Sequence, residues 1–128
     1  MGGKEYLGQL KNGNLRIQVL EKQKRKLMSG KGNFESLTDK VMDIQAEIDN
    51  KIDGLLALKK VIINSLDVVE NNLYYAILFE KYVNLSTWEK MAEIFNYDYK
   101  HLQRMHLKAL AEYERHNKHL FEKSEVKS

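Results

Sequence analysis

Apolar residues recur along this chain at intervals of three, four and seven, the spacing of helices that bury one face. Between Lys4 and Met28, the positions Tyr6, Gly13, Leu20 and Leu27 repeat every seven residues, with Leu10 and Ile17 between them. This is a heptad seam on a first helix. Gly13 weakens it by about 1 kcal/mol relative to Ala. Ser29-Gly30-Lys31-Gly32-Asn33 predicts a turn, since its two glycines permit positive φ and stop the helix. A second helix is expected to start near Ser36 to Thr38, where Ser36 and Asp39 stand at capping-box spacing. Its stripe reads Val41, Ile44, Ile48, Ile52, Leu55, Ile62 and Leu66. Roughly 30 residues at about 1.5 Å each give a helix about 45 Å long. Glu47 and Lys51 are placed to pair at i,i+4 on its outer side. A helix with one apolar stripe requires a partner. The first helix, folded back antiparallel, supplies it and brings Lys22, Lys24, Arg25 and Lys26 toward Asp39 and Asp43.

Beyond a junction at Asp67–Asn72 the pattern shortens. Asn71-Asn72 starts a third helix with Leu73, Ala76, Ile77 and Tyr82 on its buried side. Val83-Asn84-Leu85 is a link, and Ser86 or Thr87 caps a fourth helix from Trp88 to Phe95. Asn96-Tyr97-Asp98 is a tight turn, in which Asn tolerates the left-handed conformation. Asp98 caps a fifth helix running from Tyr99 to about Leu120. The expected fold is all-α. It comprises a long antiparallel helical hairpin over 1–68, for interaction or dimerisation, a helix-turn-helix unit over 69–121 and a flexible polar tail over 122–128.

Composition agrees with this reading. The 128 residues include no proline, the main helix breaker, and no cysteine. Disulfides and thiolate zinc sites are thereby excluded, and the chain suits a reducing cytosol. No apolar run approaches the roughly 18 residues that span a bilayer. The opening MGGKEYL is too polar for a signal peptide. Net charge is +3 but unevenly spread. Residues 1–31 carry +6, residues 32–72 carry −4, residues 73–98 carry −2, and residues 99–128 carry +3 with all four histidines. The first two blocks suit helices packed side by side, whereas the last points to an anionic partner.

The fifth helix concentrates that charge on one side. Leu102, Met105, Ala109, Leu110 and Tyr113 share a face suited to pack on Met91, Ala92 and Phe95 of the fourth helix and Ile77 of the third. The opposite face holds Tyr99, Lys100, Gln103, Arg104, Leu107 and Lys108, and no acid occurs from Tyr99 to Ala111. The first turns of a recognition helix are those that reach base edges. Arg and Lys match guanine acceptors, Gln matches adenine, and Tyr99 suits a thymine methyl or a phosphate. Thr87 and Lys90, at the head of the fourth helix, fall where helix N-terminal amides approach a phosphate backbone. The expected partner is double-stranded DNA.

The segment WEKMAEIFNYDYKHLQRMHLKALAEY resembles the region-4 helix-turn-helix of sigma-70-type factors, which reads the −35 promoter element. From KEYL to about Tyr113 the chain is similar to small ArpU-like, sigma-like regulators of phages of Gram-positive bacteria. The matching positions are Tyr6-Leu7, Leu37-Thr38-Asp39-Lys40-Val41, Ile44, Ile48 and Ile52, Leu78, Lys81-Tyr82, Thr87-Trp88-Glu89, Met91-Ala92, Asn96-Tyr97, Arg104-Met105-His106 and Ala109-Leu110. Asn96 stands where Gly is usual, Asp98 where Ser is usual and Lys81 where Arg is usual. Nothing matches the −10-binding and promoter-melting region. The resemblance implies promoter recognition or regulation rather than a self-sufficient sigma factor. It places Tyr99, Lys100, Gln103 and Arg104 as the readers.

Other chemistry finds little footing. His116 and His119 stand three apart and His101 and His106 five apart, with no carboxylate placed to complete a metal set. His106 is expected to pack or hydrogen-bond at the edge of the core, and Trp88 to pack in it. Lys22–Lys26 reads as a solvated helix end. No phosphate-cradling glycine loop or nucleophile–base arrangement stands out, so neither an enzyme nor a cofactor is expected. Two alternatives stay open: a module binding RNA polymerase or another partner through the hairpin, and a DNA-packaging accessory protein. A homodimer through the heptad stripes is open as well.

Overall fold

The computed structural model describes residues 2–29 and 38–118. Its elements are α1 (Gly3–Met28), α2 (Thr38–Ser65), a 3-10 turn (Leu66–Val68), α3 (Asn72–Leu78), a π-helical turn (Phe79–Val83), α4 (Trp88–Phe95) and α5 (Tyr99–His116). The protein is all-α, with no strand among the described residues. The Gly30–Asn33 turn, the Ser36 cap, His119 and the 122–128 tail lie outside the described residues.

The short helices begin where side chains satisfy their free amides. Asn71 Oδ1 accepts from the Leu73 and Tyr74 amides at 2.9 and 3.1 Å. Thr87 Oγ1 accepts from Lys90 N at 3.1 Å, and Asp98 Oδ1 from His101 N at 2.7 Å. Each such cap contributes about 1 kcal/mol. Asn96 closes α4 in the left-handed region at φ 58°, ψ 43°. Leu85 also has positive φ, 57°, which is strained for a branched side chain. The surrounding link is held through Glu80, whose carboxylate accepts from Asn84 Nδ2 at 2.9 Å and Ser86 Oγ at 2.8 Å.

The chain divides into two compact units, Met1–Lys11 with Val61–Ser128 and Asn12–Lys60. The division falls within both long helices. The reason is burial: Leu7 and Leu10 from α1 and Ile62 and Leu66 from the end of α2 share a cluster with Val69, Leu78, Tyr82, Ala109, Leu110 and Tyr113. Polar contacts fasten the same region. Ser65 Oγ and Tyr113 Oη lie 2.6 Å apart. Asn117, itself buried, donates to the Tyr113 carbonyl at 3.0 Å and the Ser65 carbonyl at 3.4 Å. α5 is regular to His116, with Asn117 as its C-cap, and the expected end near Leu120 lies outside the described residues. At the start of α1, Gly3 N–H donates to Glu114 Oε2 at 2.6 Å, a carboxylate placed at a helix N-terminus.

In the Asn12–Lys60 unit, Lys24 Nζ meets Asp49 Oδ1 at 2.8 Å. The expected approach of the α1 cations to Asp39 and Asp43 is therefore displaced along α2, and both of those acids are exposed. The α2 seam also differs. Val41, Gln45, Ile48, Ile52, Leu55 and Lys59 are buried or half-buried, a strict four–three alternation, while Ile44 is exposed. Gln45 takes the place expected for Ile44 because alternation sets the face, not hydrophobicity alone. Glu47 and Lys51 are exposed, and the ion pairs found among the described residues are Lys24–Asp49 and a 3.8 Å contact between Arg115 and Glu112.

Two glycine substitutions should have opposite signs. A Cβ at Gly3 would meet Glu114 Cγ at 2.7 Å and Tyr113 Cδ2 at 3.1 Å, whereas one at Gly13 meets nothing within 4 Å. Gly3→Ala is expected to destabilise by about 1–3 kcal/mol through overpacking. Gly13→Ala should stabilise by about 1 kcal/mol through helix propensity. Urea unfolding midpoints measure both.

Candidate nucleic-acid interface

Helix α5 is gripped on one side at two heights. Near its start, Leu102 is fully buried with Ile77 and Met91, and Leu73, Trp88, Ala92, Phe95, Tyr97 and Met105 pack around them. Farther along, Ala109, Leu110 and Tyr113 enter the cluster formed with α1 and α2. The expected packing of α5 on α3 and α4 thus holds for its first half. Its second half packs on segments that local pattern did not connect to it.

His106 lies between the two heights and is buried. Tyr82 Oη and His106 Nε2 are 2.8 Å apart, and the Trp88 ring meets the imidazole edge-on at 5.1 Å between centroids. Burial, with Lys81 and Lys4 nearby, pushes the imidazole pKa down to about 4. Burial, with Glu5 nearby, pushes the Tyr82 phenol up to about 12. The pair is therefore neutral at physiological pH, and the bond joins two uncharged groups.

The remaining side of α5 faces outward. Tyr99, Lys100, Arg104, Leu107 and Lys108 are exposed and Gln103 is half-exposed. Thr87 and Lys90, at the head of α4, are exposed too. Lys100 and Lys108 are eight residues apart, so the cationic strip is about 12 Å long. The first acids after it are Glu112, half-buried and 3.8 Å from Arg115, and Glu114, which accepts from Gly3 N. Tyr99 is 50 % exposed, yet its ring is braced edge-on by Trp88 at 6.0 Å.

Two further residues, His101 on α5 and Lys81 on the π-helical turn, contact aromatic rings at or beside the starts of α4 and α5. His101 sits in the first turn of α5, with Nδ1 3.5 Å from Arg104 Nη2 and its ring 4.9 Å from that of Tyr97. Its i+3 spacings from Asp98 and to Arg104 were the available signals. Lys81 lies with Nζ 4.6 Å over the Trp88 ring, a cation–π contact. Burial, then Lys4 and Lys11, lower its pKa. That convergence of lysines from α1 and the π-helical turn has no sequence signature, since it depends on where the start of α1 packs. Trp88 itself is half-buried beside Met91, as its expected packing role requires.

Comparison of the chain with protein-family models, with curated proteins and with solved structures finds no match. Among the described residues, no helix is long and apolar enough to cross a membrane.

The buried histidine gives a pH test. Its pKa is 6.5 when unperturbed and about 4 in the fold. Between these values the unfolded chain binds more protons, so stability is full above the upper value and declines as pH falls through the window. The loss should approach roughly 3 kcal/mol. In His106→Gln, which keeps a polar partner for Tyr82, chemical denaturation at successive pH values should show that component of the slope removed.

Proposed function

We propose that the protein is a sequence-specific DNA-binding transcriptional regulator that presents α5 to the major groove. The observation that carries this reading is the division of α5 between a fixed buried face and an exposed, acid-free face of Tyr99, Lys100, Gln103, Arg104 and Lys108. A helix entering a groove needs both. The capped turn between α4 and α5 supports it, since Asn96 and Asp98 make the connection short and rigid.

In this reading Gln103 and Arg104 contact base edges, and Tyr99 contributes a braced aromatic surface. Lys100, Lys108, Lys90 and Thr87 contact phosphates. The Thr87 oxygen already accepts from Lys90 N, and its hydroxyl proton remains for a phosphate oxygen. Affinity comes chiefly from phosphate neutralisation and specificity from the first turns of α5. No chemical step is involved. The similarity to region 4 of sigma-70-type factors extends the proposal to a phage-encoded regulator in the host cytoplasm, acting at a promoter with RNA polymerase as a second partner.

Fluorescence anisotropy with duplex DNA tests this. Log K should fall with log salt by about 0.9 for each phosphate contacted. Arg104→Ala should lose discrimination between preferred and random duplexes by about 1–3 kcal/mol, while Lys108→Ala weakens both alike and lowers the salt slope by about 1. Unchanged discrimination in Arg104→Ala would show that α5 does not read sequence.

A further inference from the structure

The Asn12–Lys60 unit carries an apolar face that its own two helices do not cover. A groove of about 630 Å³ runs between them, lined by Leu15, Arg16, Val19 and Leu20 of α1 and Lys51, Gly54 and Leu55 of α2. Leu15 is 51 % and Val19 67 % exposed. On α2, Ile44, Lys51 and Leu58 stand seven apart, so they share the groove side, and both apolar members are exposed. Within the unit's own seam Ile48 is buried, at 6 % exposure. Gly54 is the second anomaly. It sits mid-helix, where glycine is unfavourable, and nothing lies within 4 Å of the Cβ it lacks. A bare backbone at the groove edge admits close approach by another helix.

We propose that this face binds the same face of a second copy of the chain, forming an antiparallel four-helix bundle. Charge selects the occupant. Residues 12–29 of α1 carry five Lys/Arg and one Glu, while residues 38–55 of α2 carry five acids and two Lys. Lys24–Asp49 is the ion pair found between these segments. The exposed cations of α1 and anions of α2 are complementary, and a two-fold operation sets each on the other. Area agrees. Two helices, each about 10 Å wide, over about 30 Å offer roughly 600 Å² in projection. Surface corrugation brings this toward the roughly 800 Å² per partner of a standard interface. The proposal does not rest on the DNA-binding reading, and its test contains no DNA.

Sedimentation equilibrium of the full chain at about 1–100 µM decides it. The wild type is expected to fit a monomer–dimer equilibrium with a micromolar or tighter Kd. The double variant Leu15→Glu, Val19→Glu should weaken association at least 100-fold with an unchanged far-UV circular dichroism spectrum, since both sites are exposed. Gly54→Gln should weaken association at least tenfold while raising the thermal midpoint measured at sub-micromolar concentration. Wild type that remains monomeric to 100 µM overturns the proposal. So does a dimer unaffected by the double variant or by Gly54→Gln, or assembly only into species larger than a dimer.

Discussion

The 2.8 Å contact between Tyr82 and His106 is the constraint on which the surface of α5 depends. It lies midway along the helix, between a cluster built on Leu102 and another built on Leu110 and Tyr113. Rotating α5 about its axis would part both clusters and leave the tyrosine hydroxyl and the imidazole buried without partners. An unpaired buried polar group costs about 1–3 kcal/mol, so the polar pair adds a directional penalty that apolar packing alone lacks. The exposed face of α5 follows from this fixed rotation.

The same logic explains why the unit recruits the start of α1 and the end of α2. α3 and α4 are short, seven and eight residues, and cannot cover an 18-residue helix. Leu7, Leu10, Ile62 and Leu66 complete the second cluster, and the Ser65–Tyr113 and Gly3–Glu114 contacts lock it. The π-helical turn at Phe79–Val83 carries both Tyr82, bonded to His106, and Lys81, over Trp88. One extra residue per turn suits a segment that must direct two consecutive side chains to separate tasks.

What was legible in the sequence was local. Asn71, Thr87 and Asp98 cap amides two or three residues away, and Asn96 takes a conformation that its own side chain tolerates, so composition and spacing sufficed. The outward set from Tyr99 to Lys108 followed from period alone. What was not legible spans long separations. Gly3 and Glu114 are 111 residues apart, Ser65 and Tyr113 are 48 apart, and neither pair has a pattern that announces it. Choosing Ile44 over Gln45 for the α2 seam followed hydrophobicity where alternation set the face. Asn117 was invisible because its partners are backbone carbonyls, one of them on another helix.

The exposed face of α5 is cationic, braced and free of acids, and the central claim is that it reads a DNA duplex. The most direct measurement is selection of bound sequences from a random duplex pool by the intact protein. A single short motif should be enriched, with positions of sharp base preference matching the few side chains of the first turns of α5. A pool that shows no enrichment over its starting composition, despite retention of DNA at low salt, would contradict the account.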